Sequence, residues 1–270
     1  MNEFNLLMNC GFGDIITAWA VLNSIKDNYE KIYVDARLDL MDAWRPGCVD
    51  HEKFIIELIH FLFDNDEKYV LFEKKSFNNC HDLIRDGVVK PVIPKCDLML
   101  GIPHQLQLHE PYIVITTKVR EIACTKYAEI KDVFISILKG LSKKYKIVLI
   151  GERIIEDTIE NRILQTSVFS IYNDVVKNVE NVIDLTEETI ASKENPPSLE
   201  KIRKDCDLIN KANCTITLGC GGNLALALMS AKKLIGFRWD CYERIDYNNL
   251  DPDITLTFNT SEFLNKLRGL

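Results

Sequence analysis

The sequence predicts an α/β protein built from two successive β/α domains, each with a parallel sheet. Short apolar runs alternate with segments of helical period, which is the pattern of repeated βα units. The pattern is interrupted by Gly101 to Pro103 and by Glu110-Pro111 and then begins afresh. We therefore expect one domain over residues 1–108 and a second over 109–270, with a ligand in the cleft between them at the carboxyl ends of the strands.

In the first half, apolar runs predict strands and the periodic segments predict helices. The predicted strands are Phe4–Met8, Lys31–Asp35 and a weaker one at Asp97–Leu100, and the predicted helices are Asp14–Asn28, His51–Phe63 and Asn79–Asp86.

The second half repeats this alternation. Its predicted strands are Tyr112–Ile115, Lys146–Ile150, Asn181–Asp184, Cys214–Leu218 and Leu234–Phe237, and its predicted helices are Tyr127–Ser142, Ile154–Leu164, Leu199–Lys211, Asn223–Ala231 and Ser261–Leu267. Ser198 is expected to cap the helix that follows it, because its hydroxyl can accept a hydrogen bond from a first-turn amide.

Composition restricts the class of protein. A hydrophobic content of 47% and a charged content of 27% are typical of a globular chain. No apolar run approaches the roughly 18 residues of a membrane-spanning helix, so we expect no membrane span. Nine scattered cysteines without C-x-x-C spacing favour reduced thiols and a cytoplasmic location.

The charge distribution indicates where a ligand binds. The net charge of −7 argues against a nucleic-acid partner. Residues 1–108 carry 11 Lys and Arg against 17 Asp and Glu, a balance of −6, which leaves 22 against 23, or −1, for residues 109–270. A phosphorylated ligand is therefore expected mainly on the second half.

The first motif, Asn9 to Asp14, lies directly between the first strand and the first helix. Gly11 and Gly13 allow a tight turn and close approach of the backbone to a ligand. Asp14 has two interpretations. It is either the helix N-cap or a carboxylate at the rim of the cleft that accepts a proton from a hydroxyl.

The second motif, Gly219 to Asn223, joins a strand to a helix. Backbone amides of Gly221, Gly222 and Asn223 at a helix N-terminus would suit a diphosphate. The alternative is that tight packing between strand and helix selects glycine here.

Two further strand ends carry polar groups. Thr116, Thr117 and Lys126 could supply hydroxyls and an ammonium to phosphate oxygens, or form an ordinary solvated loop. Glu152 and Arg153 follow another strand, where Glu152 could reach ribose hydroxyls, or the segment is a plain turn.

The sequence shows no metal cluster of plausible spacing. Asp64-Asn65-Asp66 has the D-x-D form that holds a metal in some glycosyltransferases, but it follows a helix and is interpreted as a turn. There is no G-x-S-x-G and no P-loop, so serine hydrolase and kinase functions lack their key residues. We expect neither a metal nor another cofactor.

Together these residues resemble the GT-B glycosyltransferases of the ADP-heptose:lipopolysaccharide heptosyltransferase type. Gly11-Phe-Gly-Asp14 is similar to that family's G-D motif after the first strand, Thr116-Thr117 with Lys126 to its phosphate-binding threonines and lysine, and Ile150 to Arg153 to its ribose-contacting strand end. The resemblance implies a GT-B fold, in which two Rossmann-like domains face each other across a cleft. It also implies Asp14 as catalytic base, a nucleotide-sugar donor, a glycan or glycolipid acceptor, inversion and no metal.

The sequence departs from the family at the glycine-rich turn. Where the family carries an acidic residue and then a histidine, this chain has Gly219 and Leu224. Three other functions stay open: a sugar-nucleotide epimerase or hydrolase of the same architecture, a non-catalytic subunit that binds a nucleotide sugar or glycan, and a nicotinamide-dependent oxidoreductase. The donor base, the sugar, the acceptor and the oligomeric state do not follow from the sequence.

Overall fold

Two separate parallel β-sheets organise the chain. The structure is a computed structural model and describes residues 2–9, 11–38, 49–64, 66–73, 78–79, 83, 86, 100–103, 108–154, 168–189, 198–218, 221–237 and 253–270. Among these residues, no helix has both the length and the apolar character needed to cross a membrane.

The first sheet contains four strands in the order β3-β2-β1-β4. The strands are β1 Glu3–Met8, β2 Lys31–Ala36, β3 Tyr69–Leu71 and β4 Asn78–Asn79. Helix α1, Phe12–Ile25, connects β1 to β2, and helix α2, Val49–Phe63, precedes β3. Because these strands are parallel, their carboxyl ends meet at one edge of the sheet, and α1 begins at that edge.

The second half contributes the remaining elements. Its strands are β5 Tyr112–Thr116, β6 Lys118–Arg120, β7 Lys146–Ile150, β8 Glu152–Ile154, β9 Val168–Ser170, β10 Val182–Asp184, β11 Glu187–Thr189, β12 Cys214–Thr217, β13 Leu234–Phe237 and β14 Ile254–Thr257. Its helices are α3 Glu121–Leu141, α4 Tyr172–Asn178, α5 Leu199–Lys211, α6 Gly221–Ser230 and α7 Thr260–Arg268.

Six of these strands form the second sheet, in the order β10-β7-β5-β12-β13-β14. Numbered along the chain, that order is 3-2-1-4-5-6, the order of dinucleotide-binding sheets. The direction of winding reverses between β5 and β12, and ligands of such sheets bind outside the carboxyl ends of the strands at this switch point.

Both faces of the second sheet are covered, which explains the apolar runs of its strands. Along β5, Tyr112 and Val114 face one hydrophobic cluster, whereas Ile113 and Ile115 face another. The second cluster is completed by α3, α4 and α7. The first cluster also contains α5, α6 and the apolar residues of β1, β2, α1 and α2, so the two halves share it.

Most predicted elements are present, and the Ser198 cap is confirmed, since the Lys201 amide donates to the Ser198 hydroxyl at 3.1 Å. Two predicted helices are wrong at their first residue, because Asn79 lies in β4 and Ile154 in β8. Much of both segments lies outside the described residues, as do residues 97–99 of the weak predicted strand. The predicted boundary at 108/109 falls between the two sheets and stays a prediction.

Several further elements differ from expectation. Helix α3 begins six residues earlier than expected, and strands β3, β6, β9, β11 and β14 and helix α4 were not predicted. Strand β3 pairs with β2 and β14 with β13, and in each pair a long segment separates the partners along the chain, so local pattern alone did not identify these two strands.

Candidate functional site

The turn after β1 places Asp14 in the first turn of α1. Gly11 is the N-cap residue, with φ −79° and ψ 144°, and as a glycine it has no side chain that could cap the helix. The amide of Ile15 donates to the Gly11 carbonyl at 3.0 Å, which starts the helix. The interpretation of Asp14 as N-cap is therefore wrong: Asp14 is the third helical residue, and Gly13 precedes it as the second.

The Asp14 side chain is half-buried and folds back over Gly11. A Cβ atom added to Gly11 would collide with Oδ2 of Asp14, although the backbone angles of Gly11 suit any residue. Gly11 is thus required for space and not for a left-handed backbone. This turn holds a carboxylate close to the chain at the positive end of a helix.

Thr116 and Thr117 lie where expected, at the carboxyl edge of the second sheet, but their hydroxyls bond inside the protein. The Thr116 hydroxyl donates to the Thr217 hydroxyl at 3.0 Å, which links the ends of β5 and β12. The Thr117 hydroxyl donates to the Ile150 carbonyl at 3.2 Å, which links the chain after β5 to β7. Thr116 is 1% exposed and Thr117 fully buried. These bonds fix the strand ends at the switch point.

Lys126 lies in the second turn of α3, not at the helix start. Its ammonium nitrogen is 5.8 Å from the ring centroid of Phe237, the last residue of β13. A cation at this distance from a ring face is attracted by the quadrupole of the ring. The ammonium therefore lies at the carboxyl edge of the sheet, near the end of β13.

Helix α6 begins at Gly221, two residues earlier than predicted. The amides of Gly221, Gly222 and Asn223 are thus in its first turn, where backbone amides have no partner within the helix. No acidic residue lies in that turn. The Asn223 side chain, like Gly219 and Cys220, is outside the described residues.

Glu152 and Arg153 open the short strand β8, which pairs with β11. Gly151 precedes them with φ +95°, a left-handed conformation that favours glycine and turns the chain sharply between β7 and β8. Their side chains lie outside the described residues, so their predicted ribose contacts stay a prediction.

The two helices that carry residues of the candidate site pack against each other. Helix α1, which carries Asp14, packs against α6, and both helices contribute to the first hydrophobic cluster. Each helix follows the carboxyl end of a central strand, β1 or β12. Sequence reasoning missed Thr217 and Phe237, whose only local signal is that each is the last residue of an apolar strand.

The D-x-D segment lies away from this site. Asp64 follows the last residue of α2 and pairs with His60 at 2.8 Å, while Asp66 accepts from the Lys68 amide at 3.1 Å. The segment leads into the amino end of β3, the opposite edge of the sheet from Asp14. Within the described part of the chain, no three His, Cys, Asp or Glu side chains are placed to hold a metal ion.

An open groove of about 700 Å³ also lies at that opposite edge. Its walls include Lys31 and Tyr69, the first residues of β2 and β3, and Trp19 from the second half of α1. Burial, followed by the charges of Asp66 and Asp27, raises the pKa of Tyr69. The groove does not contact the predicted site residues.

Comparison with known proteins gives a likeness in structure only. No protein-family model and no curated protein matches the sequence. The dodecameric iron-containing heptosyltransferase TibC, solved with ADP-D-β-D-heptose, matches with a TM-score of 0.50 and 13% identity over 96% of this chain and 63% of that chain. This chain therefore spans less than two thirds of the length of TibC.

Two further structures show weaker likeness. TibC from enterotoxigenic E. coli H10407 has a TM-score of 0.49 and 12% identity over 96% of this chain and 63% of that one. The E. coli ADP-heptose lps heptosyltransferase II has a TM-score of 0.48 and 13% identity over 99% and 98% of the two chains.

The fold class expected from the sequence is thereby confirmed. Two parallel sheets, alternating strands and helices and the likeness to TibC agree with the predicted architecture. The resemblance drawn from the sequence motifs holds at the level of the fold. The chain has the α/β fold of the GT-B heptosyltransferases.

Proposed function

We propose that the chain is a glycosyltransferase that moves a sugar from a nucleotide-sugar donor to a hydroxyl acceptor. The observation that carries the proposal is the packing of α6, which begins at the switch point of the second sheet, against α1, whose first turn holds Asp14. An anion-binding helix end and a carboxylate base on two neighbouring helices are what such a transfer needs. The fold alone would not support a function, since such folds host many chemistries.

The second half would bind the donor. The amides of Gly221, Gly222 and Asn223 and the ammonium of Lys126 offer hydrogen bonds and positive charge to a diphosphate, and they stabilise it further as it leaves. Thr116 and Thr117 support this binding by fixing the strand ends, given their bonds to Thr217 and Ile150. The ADP-heptose bound by TibC supports a nucleotide sugar as the donor class.

The first half would bind a glycan or glycolipid acceptor, with Asp14 as general base. The acceptor oxygen attacks the anomeric carbon as its proton passes to Asp14. The bond from that carbon to the diphosphate breaks, and the nucleoside diphosphate leaves with the electron pair. Attack opposite the leaving group inverts the anomeric centre.

Two finer points belong to the same proposal. The reaction is proposed to need no metal, because the D-x-D segment is interpreted as a turn and lies at the wrong edge of its sheet. A cytoplasmic location is supported by the scattered cysteines of the sequence.

A second candidate is a non-catalytic protein that binds nucleotide sugars. It is favoured by Leu224, which stands where the family carries a histidine and is buried in the shared hydrophobic cluster at 5% exposure. A sugar-nucleotide hydrolase or epimerase of the same architecture would use the donor site without an acceptor.

One experiment separates these functions. ADP-, GDP-, UDP-, CDP- and TDP-sugars are incubated with the protein, with and without glycan acceptors, and nucleoside diphosphate release and donor binding are measured. Release that depends on acceptor supports transfer. Release or epimerisation without acceptor indicates the hydrolase or epimerase, and binding without turnover indicates the binding protein.

The variant Asp14→Asn tests the mechanism on the same assay. Asparagine cannot act as a base, so turnover should fall about 10²–10⁴-fold while donor binding persists. Loss of a first-turn charge should cost only about 0.3–1 kcal/mol of stability. The matched control is Asp27→Asn, a highly exposed carboxylate just beyond the other end of α1, which should keep wild-type turnover. Full turnover in Asp14→Asn would exclude Asp14 as the base.

A further inference from the structure

The Lys126 ammonium lies against an aromatic ring. Among the described residues, no acidic side chain pairs with it, and its ammonium lies 5.8 Å from the ring centroid of Phe237. A carboxylate would hold the ammonium but neutralise its charge. A ring face restricts the long flexible side chain and leaves the positive charge available to an anion.

Phe237 is itself fixed by an aromatic column. Its ring is 1% exposed and meets Phe263 edge-on at 5.7 Å, Phe263 stacks on Phe134 at 6.2 Å, and Phe134 meets Tyr127 at 6.2 Å. Tyr127 is the chain neighbour of Lys126. The column therefore starts and ends beside the same lysine, so both the ring and the lysine backbone have fixed positions.

The helix end that carries Lys126 is anchored as well. The Tyr127 hydroxyl donates to Asp174 Oδ2 at 3.0 Å, and Lys131 pairs with Asp174 Oδ1 at 2.5 Å. Burial, and then the adjacent Asp174 carboxylate, raises the pKa of Tyr127, so this donor stays protonated. Helix α3 is thereby tied to α4 at the level of Lys126.

The register of the sheet fixes how far along the strands the Phe237 ring lies. Gly236 pairs with Thr217, so Phe237 lies one residue further toward the carboxyl edge, level with Leu218. From Leu218 the chain passes through two residues into the first turn of α6. The Phe237 ring and the first turn of α6 therefore lie at the same edge of the sheet, because they follow the neighbouring strands β13 and β12.

We propose that Phe237 is a positioning residue that holds the Lys126 ammonium for the diphosphate of the donor and makes the site prefer a nucleoside diphosphate to the monophosphate. This inference rests on the proposed function and deepens it. Without the ring, the Lys126 side chain samples many rotamers, so the second phosphate of the diphosphate loses a positive charge at a fixed position.

The experiment is calorimetric titration with ADP, GDP, UDP, CDP and dTDP, and then with the monophosphate of the base that binds best. Lys126→Ala should lower diphosphate affinity about tenfold or more, because a charge-assisted hydrogen bond is lost. Phe237→Leu should lower it about threefold to fivefold and leave monophosphate affinity within about twofold. Phe237→Tyr, which keeps a ring, should restore the preference.

The matched control is Phe63→Leu, which removes a fully buried ring from α2, outside the column that fixes Phe237. It should bind both nucleotides within about twofold of wild type. Equal losses of diphosphate affinity in Phe237→Leu and Phe63→Leu, or equal losses of monophosphate and diphosphate affinity in Phe237→Leu, would overturn the inference.

A second measurement on the wild-type protein covers the case in which Phe237→Leu does not fold. The ε-CH₂ resonance of Lys126, assigned by its absence in Lys126→Arg, should show an upfield ring-current shift that changes on adding diphosphate but not monophosphate. An unshifted resonance would overturn the inference. If wild type binds none of the five diphosphates, the proposed function fails and this inference with it. If Lys126→Ala loses affinity and Phe237→Leu does not, only this inference fails.

Discussion

Gly11→Ala is the sharpest test of the turn that holds Asp14. The new Cβ would occupy the space in which Oδ2 of Asp14 now lies. The backbone of Gly11 has φ −79° and ψ 144°, which alanine adopts freely, so the substitution adds no backbone strain. Its effect is therefore concentrated on the carboxylate.

The expected loss of stability is small. Alanine is a poorer N-cap than glycine by about 1 kcal/mol. The colliding atom is the end of a side chain that can rotate, so moving it adds about 0.5–1.5 kcal/mol. The total of about 1.5–2.5 kcal/mol corresponds to a fall in Tm of about 3–10 °C for a chain of this size.

The expected loss of activity is larger, because moving a catalytic group by about 1 Å can cost roughly 10²-fold in rate. Turnover with the best donor and acceptor, and urea unfolding followed by circular dichroism, measure the two effects. Combining Gly11→Ala with Asp14→Ala removes the collision, so the stability losses of the two single variants should not add.

The control is Gly140→Ala in the last turn of α3, where an added Cβ meets no atom within 4 Å. It should raise stability by about 0.5–1 kcal/mol and leave turnover unchanged. Wild-type turnover in Gly11→Ala, with the expected loss of stability, would refute the view that the carboxylate acts from its position over Gly11.

Three further predictions concern the donor site, the metal and the pH dependence of stability. Gly222→Asp should keep α6 intact, since acidic residues suit a first helical turn, but should lower nucleoside diphosphate affinity about tenfold or more by charge repulsion. The neutral counterpart Gly222→Asn should bind the diphosphate more tightly than Gly222→Asp does. Equal affinities of the two variants in calorimetry would show that this turn is not part of the site. Turnover should survive excess chelator, and activity lost with chelator and restored by manganese, magnesium or iron would contradict the metal-free mechanism. Burial, and then the charge of Asp207, raises the pKa of Tyr112 from 10 to about 12. The unfolded chain then loses this proton first as the pH rises, so the unfolding free energy should fall between pH 10 and pH 12. Urea unfolding at pH 9 and pH 11.5 should show a smaller fall in the unfolding free energy for Tyr112→Phe than for wild type. Equal falls in the two proteins would contradict the assignment of this pH dependence to Tyr112.

The candidate site was predicted from sequence to the extent that it depends on junctions between a strand and a helix. Gly11 to Asp14 and Gly221 to Asn223 were found because the hydrophobic period changes from strand to helix at each place. The role of Asp14 within its helix was not settled by that signal, because an N-cap and a third helical residue differ by only three positions. The backbone hydrogen bond from Ile15 to Gly11 decided it.

Contacts between distant residues could not be predicted in the same way. The hydroxyl pair of Thr116 and Thr217 joins positions 101 residues apart, and it changes the interpretation of Thr116 from a ligand contact to a support. Strand β4 is only two residues long, Asn78–Asn79, and its identity comes from pairing with Leu6 and Leu7. A two-residue segment has no period, so only its partner strand can reveal it.

By itself, the sequence determined the α/β class, most strands and helices and the approximate starts of α1 and α6, because these follow from local hydrophobic period and turn residues. Only the tertiary structure decided the 3-2-1-4-5-6 strand order, the packing of α1 on α6 and the contact of Lys126 with Phe237. The physical reason is that strand order and helix packing depend on which apolar faces meet, and a run of β-branched residues does not specify its neighbour. Side chains that serve one site are therefore brought together by the sheet, and their roles are set by partners far away in the chain.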